Sequence, residues 1–111
     1  MTAPDGPSDG SADATPGSSG GTVLSRTLTI CNRRGLHARA AARFVALAER
    51  FGASVEVVKD GQSVSARSIM GLMMLGAGMG SAIELRVEGW DAKEAMDALA
   101  GFVETGFDEQ D

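Results

Sequence analysis

Apolar side chains are nearly missing from the first twenty-one residues, where Met1 is the one large example, and from Val23 onward they recur with two periods. In "VLSRTLTIC", Val23 to Cys31, Leu28 and Ile30 alternate with Thr27 and Thr29, the period of two expected of a half-buried strand. "NRRG" then breaks the pattern as a loop. From Ala38 to Phe51 the period lengthens: Ala41, Phe44, Val45, Ala48 and Phe51 share one helical face, Arg39, Arg43 and Arg50 another. Gly52 stands where a C-terminal cap belongs. "SVEVVK" sets Val55 and Val57 on one face of a second strand, Asp60-Gly61 signals a tight turn, and "QSVSA" completes a hairpin.

Ser68 is placed to cap a short helix, "SIMGLMML", limited by Gly71 inside it and Gly76 after it. "GAGMGS" reads as a loop. "AIELRVEG" alternates again, with Ile83, Leu85 and Val87 inward and Glu84, Arg86 and Glu88 outward. Asp91 and Glu94 have capping-box spacing for a last helix whose buried stripe is Ala95, Met96, Leu99, Phe102 and Val103. The order β-α-β-β-α-β-α predicts an α/β (α+β) fold, an open-faced β-sandwich. A four-stranded antiparallel sheet carries three helices on one face and leaves the other to water. A ferredoxin-like split βαβ is the nearest architectural relative.

With 111 residues the chain holds one domain, expected over residues 22–107 and large enough for one modest core. Residues 1–21, Gly, Ser, Ala, Pro and Asp for the most part, cannot offset the backbone ordering cost of roughly 1–2 kcal/mol per residue and are expected to be a disordered tail. They lack the apolar stretch of a secretion signal and the arginines of a transit peptide. No apolar run has the length of a bilayer span. The single cysteine, Cys31, excludes an internal disulfide, fits a reducing cytoplasm, and is expected to be a half-buried residue ending a strand. Of the five net negative charges, three belong to Asp5, Asp9 and Asp13 in the tail, so bulk charge points to no nucleic-acid partner. The local distribution differs. Arg33, Arg34, Arg39 and Arg43 surround His37, the one histidine, and no acid occurs between Val23 and Ala48.

Several schemes fail for this histidine. A nucleophile–base–acid triad needs a carboxylate to orient the ring, and none lies nearby in sequence; only folding can bring a distant one in. One His and one Cys do not make a metal site, and no metal or cofactor is called for. Gly76, Gly78 and Gly80 lack the lysine and Ser/Thr of a phosphate loop and precede a strand. At the start of its helix, however, His37 would lie over the unpaired backbone N–H groups of Ala38, Arg39 and Ala40, with the Arg39 guanidinium in reach. That is an anion site with a nucleophile at its centre, suited to carry a phosphoryl group. The plainer alternative is a surface histidine that caps a helix and does no chemistry.

"GLHARAAARFV" and "SARSIMGLMMLGAGMGSAIELRVEG" resemble the two signatures of HPr, the histidine-containing phosphocarrier family of the phosphoenolpyruvate-dependent phosphotransferase system. The resemblance runs from about Leu24 to Phe107. It implies a stoichiometric, cytoplasmic, monomeric bacterial carrier rather than an enzyme, in which His37 takes a phosphoryl group from Enzyme I on Nδ1 and gives it to a IIA component. Arg39 matches the arginine that contacts the phosphoryl group. Ser68 matches the serine that an ATP-dependent HPr kinase/phosphorylase marks in many bacteria. Ile69, Met70 and Met73, with Arg43, resemble the patch that docks onto Enzyme I and other partners, whereas Leu72 and Leu75 are expected inside.

One position departs from the family: where a proline usually stands three residues after the histidine, this chain has Ala40, which restores a backbone donor facing the site. A regulatory, nitrogen-related branch of the system, or a binding module switched by Ser68, are the alternatives. An RNA-binding domain is disfavoured, since there is no tyrosine and Trp90 sits at a turn.

Overall fold

A computed structural model describes residues 23–109; the tail expected over residues 1–21 lies outside them. Seven elements follow in the expected order: β1 (Val23–Thr29), α1 (Ala38–Ala48), β2 (Ser54–Lys59), β3 (Gln62–Ser65), α2 (Ile69–Met74), β4 (Ala82–Glu88) and α3 (Ala92–Glu104). The strands form one antiparallel sheet in the order β1-β4-β2-β3. Pairing Leu28 with Ile83 and Val57 with Leu85 puts the apolar sides of three strands in one layer, where all four side chains are buried. Each large side chain buried in that layer stabilises the fold by roughly 1.5–3 kcal/mol.

Helix α3 packs on β1 and β4, α2 on β3, and α1 against both other helices, which closes the core over Phe44, Leu72 and Leu99. Ser25, Thr27, Glu56 and Arg86 remain exposed on the sheet. There the Ser25 hydroxyl donates to the Glu84 carboxylate, and this bond, with Arg86, holds that carboxyl below the usual carboxylate range. The β2–β3 hairpin turns through Asp60 and Gly61, both at positive φ (50° and 82°), as its Asp-Gly sequence requires.

Five local expectations are corrected, the first at Phe102 of α3, which is half-buried rather than inside. Helix α1 stops at Ala48, because the following N–H groups of Arg50 and Phe51 bond to carbonyls three residues back and tighten the turn; Phe51 is half-buried beyond the helix. Gly52 is not the C-terminal cap. A β-carbon there would lie 2.8 Å from the indole nitrogen of the exposed Trp90, whose side chain must shift to admit it.

Asp91 does stand at the N-cap of α3, but it makes no capping bond. Its Oδ2 accepts from the Gly52 N–H at 2.9 Å, so the carboxylate ties two loops together instead of closing a capping box with Glu94. Cys31 lies beyond the end of β1 and is exposed, its thiol resting 3.6 and 3.5 Å from the carbonyls of Val103 and Glu104. Among the described residues, no helix is long and apolar enough to cross a membrane.

Candidate functional site

The loop between β1 and α1 is pinned before it reaches its histidine. Gly35 (φ +66°) packs directly on the α2–β4 loop, where a β-carbon would meet the Ala77 carbonyl oxygen at 2.4 Å, and the Leu36 N–H donates to that same oxygen at 2.9 Å. Asn32, buried beneath, donates through Nδ2 to the Gly35 carbonyl at 2.9 Å. These contacts tie down the loop that leads into His37 at the start of α1.

His37 is the N-cap of α1, with extended backbone (φ −79°, ψ −179°) and its carbonyl accepting from the Ala41 N–H at 2.8 Å. Its Nδ1 accepts from the Arg39 N–H at 3.3 Å. The N–H groups of Ala38 and Ala40 have no acceptor among the described residues. The helix end thus holds open donors with partial positive charge around one ring nitrogen.

The other ring nitrogen meets an acid that the local sequence does not contain. His37 Nε2 bonds to Oε2 of Glu109, and Oε1 of the same carboxylate accepts from Asn32 Nδ2 at 2.9 Å. A carboxylate on Nε2 and an amide N–H on Nδ1 select one neutral tautomer: Nε2 carries the proton and Nδ1 keeps its lone pair. The Asn32 bond is the main influence holding the Glu109 carboxyl below the usual range. Burial opposes it, and the His37 bond with the charges of His37 and Arg34 adds to it.

Glu109 reaches the ring through a tight turn after α3. Gly106, Phe107 and Asp108 all have left-handed backbone, with φ of +67°, +58° and +58°. For the two non-glycine residues this costs roughly 1–2 kcal/mol each. Compensation comes from the Phe107 ring, which is fully buried edge-on to Phe44 (centroids 6.5 Å, 80°) and Phe102 (5.5 Å, 74°). Arg43 Nη1 donates to the Phe107 carbonyl at 3.4 Å, and Thr105 Oγ1 to Asp108 Oδ1 at 2.8 Å.

Of the residues singled out by sequence, His37, Ala38, Arg39 and Ala40 converge at this helix end, with the Arg39 side chain exposed. Arg43 lies one turn further along α1, where its contact is the turn that carries Glu109. Ser68 lies apart, as the N-cap of α2: its Oγ accepts from the Gly71 N–H at 2.9 Å. Ile69, Met70 and Met73 are exposed, as is Met74, while Leu72 and Leu75 are buried as expected. Glu109 and Asn32 are the two residues that sequence reasoning missed. Among the described residues no cluster of three or more His, Cys, Asp or Glu suited to a metal ion is present.

Residues 24–105 match the PTS-HPr family, described as the PTS HPr component phosphorylation site. Phosphocarrier protein NPr of Shewanella violacea is 47% identical over 88 residues, spanning 79% of this chain and 97% of that protein. HPr-like protein Crh of Halalkalibacterium halodurans is 53% identical over 82 residues, spanning 74% and 98%. Among solved structures, HPr-C-His from Thermoanaerobacter tengcongensis superposes with a TM-score of 0.75 at 44% identity, covering 78% of this chain and 98% of that one.

Proposed function

The chain belongs to the HPr family of phosphotransferase-system phosphocarriers, and from that premise we propose that His37 accepts a phosphoryl group from Enzyme I and passes it to a IIA-type component. The observation that carries this reading is the His37 ring at the N-cap of α1. Its Nδ1 lone pair faces the helix end, where the Ala38 and Ala40 N–H groups have no acceptor among the described residues. Nδ1 attacks phosphorus, the bond from phosphorus to the donor nitrogen breaks, and the transferred oxygens settle among backbone donors that need no reorganisation. Arg39, whose N–H bonds to the ring and whose side chain is exposed, supplies a guanidinium to those oxygens. Ala40 adds an amide donor where the family usually has proline.

Partner recognition falls to the neighbouring α2. Ile69, Met70 and Met73 are exposed apolar side chains of α2, which packs on α1, and methionine adapts to partners of different shape. Ser68 opens that helix. Phosphorylation of its hydroxyl by an ATP-dependent kinase would put a dianion at a helix N-terminus, which the helix tolerates, and beside the docking face, which it blocks. The exposed Cys31 suits the reducing cytoplasm in which such a carrier works.

The test is incubation with Enzyme I and radiolabelled phosphoenolpyruvate. One acid-labile phosphate per chain, lost in His37→Ala, supports the carrier. Label from ATP alone, acid-stable and on Ser68, favours a binding module switched by that serine.

A further inference from the structure

We propose that Glu109 is a positioning residue for phosphoryl transfer, acting through the side of the His37 ring that the phosphoryl group does not touch. The proposal rests on the reading of His37 as the phosphoryl acceptor. Three independent features converge on it. The carboxylate bridges two groups at once, His37 Nε2 and Asn32 Nδ2, so its orientation is fixed from both oxygens. Asn32 is itself buried and tied to the Gly35 carbonyl, so the bridge is anchored in the loop that holds the histidine. The turn that delivers Glu109 retains two left-handed non-glycine residues and a fully buried phenylalanine, and Arg43 of α1 holds its carbonyl.

The chemistry follows from the proton. With Nε2–H donating to Glu109, Nδ1 is the unprotonated nitrogen, and its lone pair turns from the Arg39 N–H to phosphorus. As the N–P bond forms and the donor's bond to phosphorus breaks, the ring becomes formally cationic while retaining the Nε2 proton. Glu109 offsets that charge at direct hydrogen-bonding distance. In the second transfer an acceptor nitrogen attacks phosphorus and the N–P electron pair returns to Nδ1. The leaving group is then neutral imidazole still bearing its Nε2 proton, not an imidazolate. One carboxylate therefore serves both directions without itself taking up a proton. In this it resembles the aspartate of a hydrolytic triad, which fixes a tautomer and stabilises the imidazolium.

The experiment compares the wild-type chain with Glu109→Gln and Glu109→Ala. The 15N resonances of the His37 ring report the tautomer in the free protein, and phosphoenolpyruvate with Enzyme I reports the transfer rate. Expected are a predominant Nε2–H tautomer in wild type, its retention in Glu109→Gln, and a mixture in Glu109→Ala. Transfer slows roughly tenfold in both variants, the scale seen when the partner orienting a metal-bound histidine is removed. Glu109→Gln separates charge from hydrogen bonding, and an unchanged unfolding midpoint in it excludes a general loss of structure. Equal ring signals and equal rates in all three proteins overturn the role of Glu109 alone. No label on the wild-type chain overturns the carrier reading itself.

Discussion

The carbonyl oxygen of Ala77 fills the space that a β-carbon on Gly35 would need, at 2.4 Å, and accepts the Leu36 N–H at 2.9 Å. Two loops distant in sequence are thereby stapled one residue before the histidine. Gly35→Ala meets both the left-handed backbone and the carbonyl, at a combined cost of about 2–4 kcal/mol. Urea unfolding checks it, and a change below a few tenths of a kcal/mol would show that this contact does not fix the loop.

Phe107→Ala removes the ring packed edge-on to Phe44 and Phe102 and leaves a cavity under the turn that carries Glu109. The expected loss is about 3–5 kcal/mol of stability. The same variant also slows labelling of His37, since Glu109 is no longer delivered to the ring. Denaturant titration and the transfer assay read the two effects separately.

The Glu109 contact is pH-dependent with a definite sign. Its carboxyl is held below the usual carboxylate range, chiefly by the Asn32 bond, then by the bond to His37 and the charges of His37 and Arg34. The docked turn therefore draws its full stabilisation above the unfolded-state value and loses it as pH falls through the lowered one. Titration followed on the Asn32 side-chain amide should give a midpoint on the acid side of an ordinary glutamate. A midpoint at or above the ordinary value would contradict the bridge.

Ser68→Ala deletes the hydroxyl that accepts from the Gly71 N–H at 2.9 Å, at a cost of about 0.5–2 kcal/mol. Ser68→Asp keeps a capping oxygen and adds a charge that the helix N-terminus favours, so its unfolding midpoint stays near wild type. A calorimetric scan of both variants distinguishes a capping serine from an incidental one.

Which parts of this were legible in the sequence follows the range of the interactions involved. The bounds of β2 coincide with "SVEVVK", the Asp60-Gly61 turn adopts the positive φ its residues favour, and the caps at His37 and Ser68 lie where local residue types put them. All of these are set within a few residues. Asp91 shows the limit: its spacing to Glu94 announced a capping box, but the Gly52 N–H, 39 residues away, claims the carboxylate.

Glu109 is the extreme case. It lies 72 residues from His37, and no periodicity or motif marks it, because its placement depends on how Phe107 fits between two other rings. The stretch from Val23 to Ala48 is free of acids in the sequence but not in the fold. The carboxylate enters from the far end of the domain.

In the proposed cycle one nitrogen of one residue carries the phosphoryl group. Phosphorus-31 and nitrogen-15 NMR of the chain phosphorylated by Enzyme I and phosphoenolpyruvate addresses it directly. Expected is a single phosphorus resonance coupled to His37 Nδ1 and absent from His37→Ala; coupling to Nε2, or a phosphate that survives in His37→Ala, overturns the assignment.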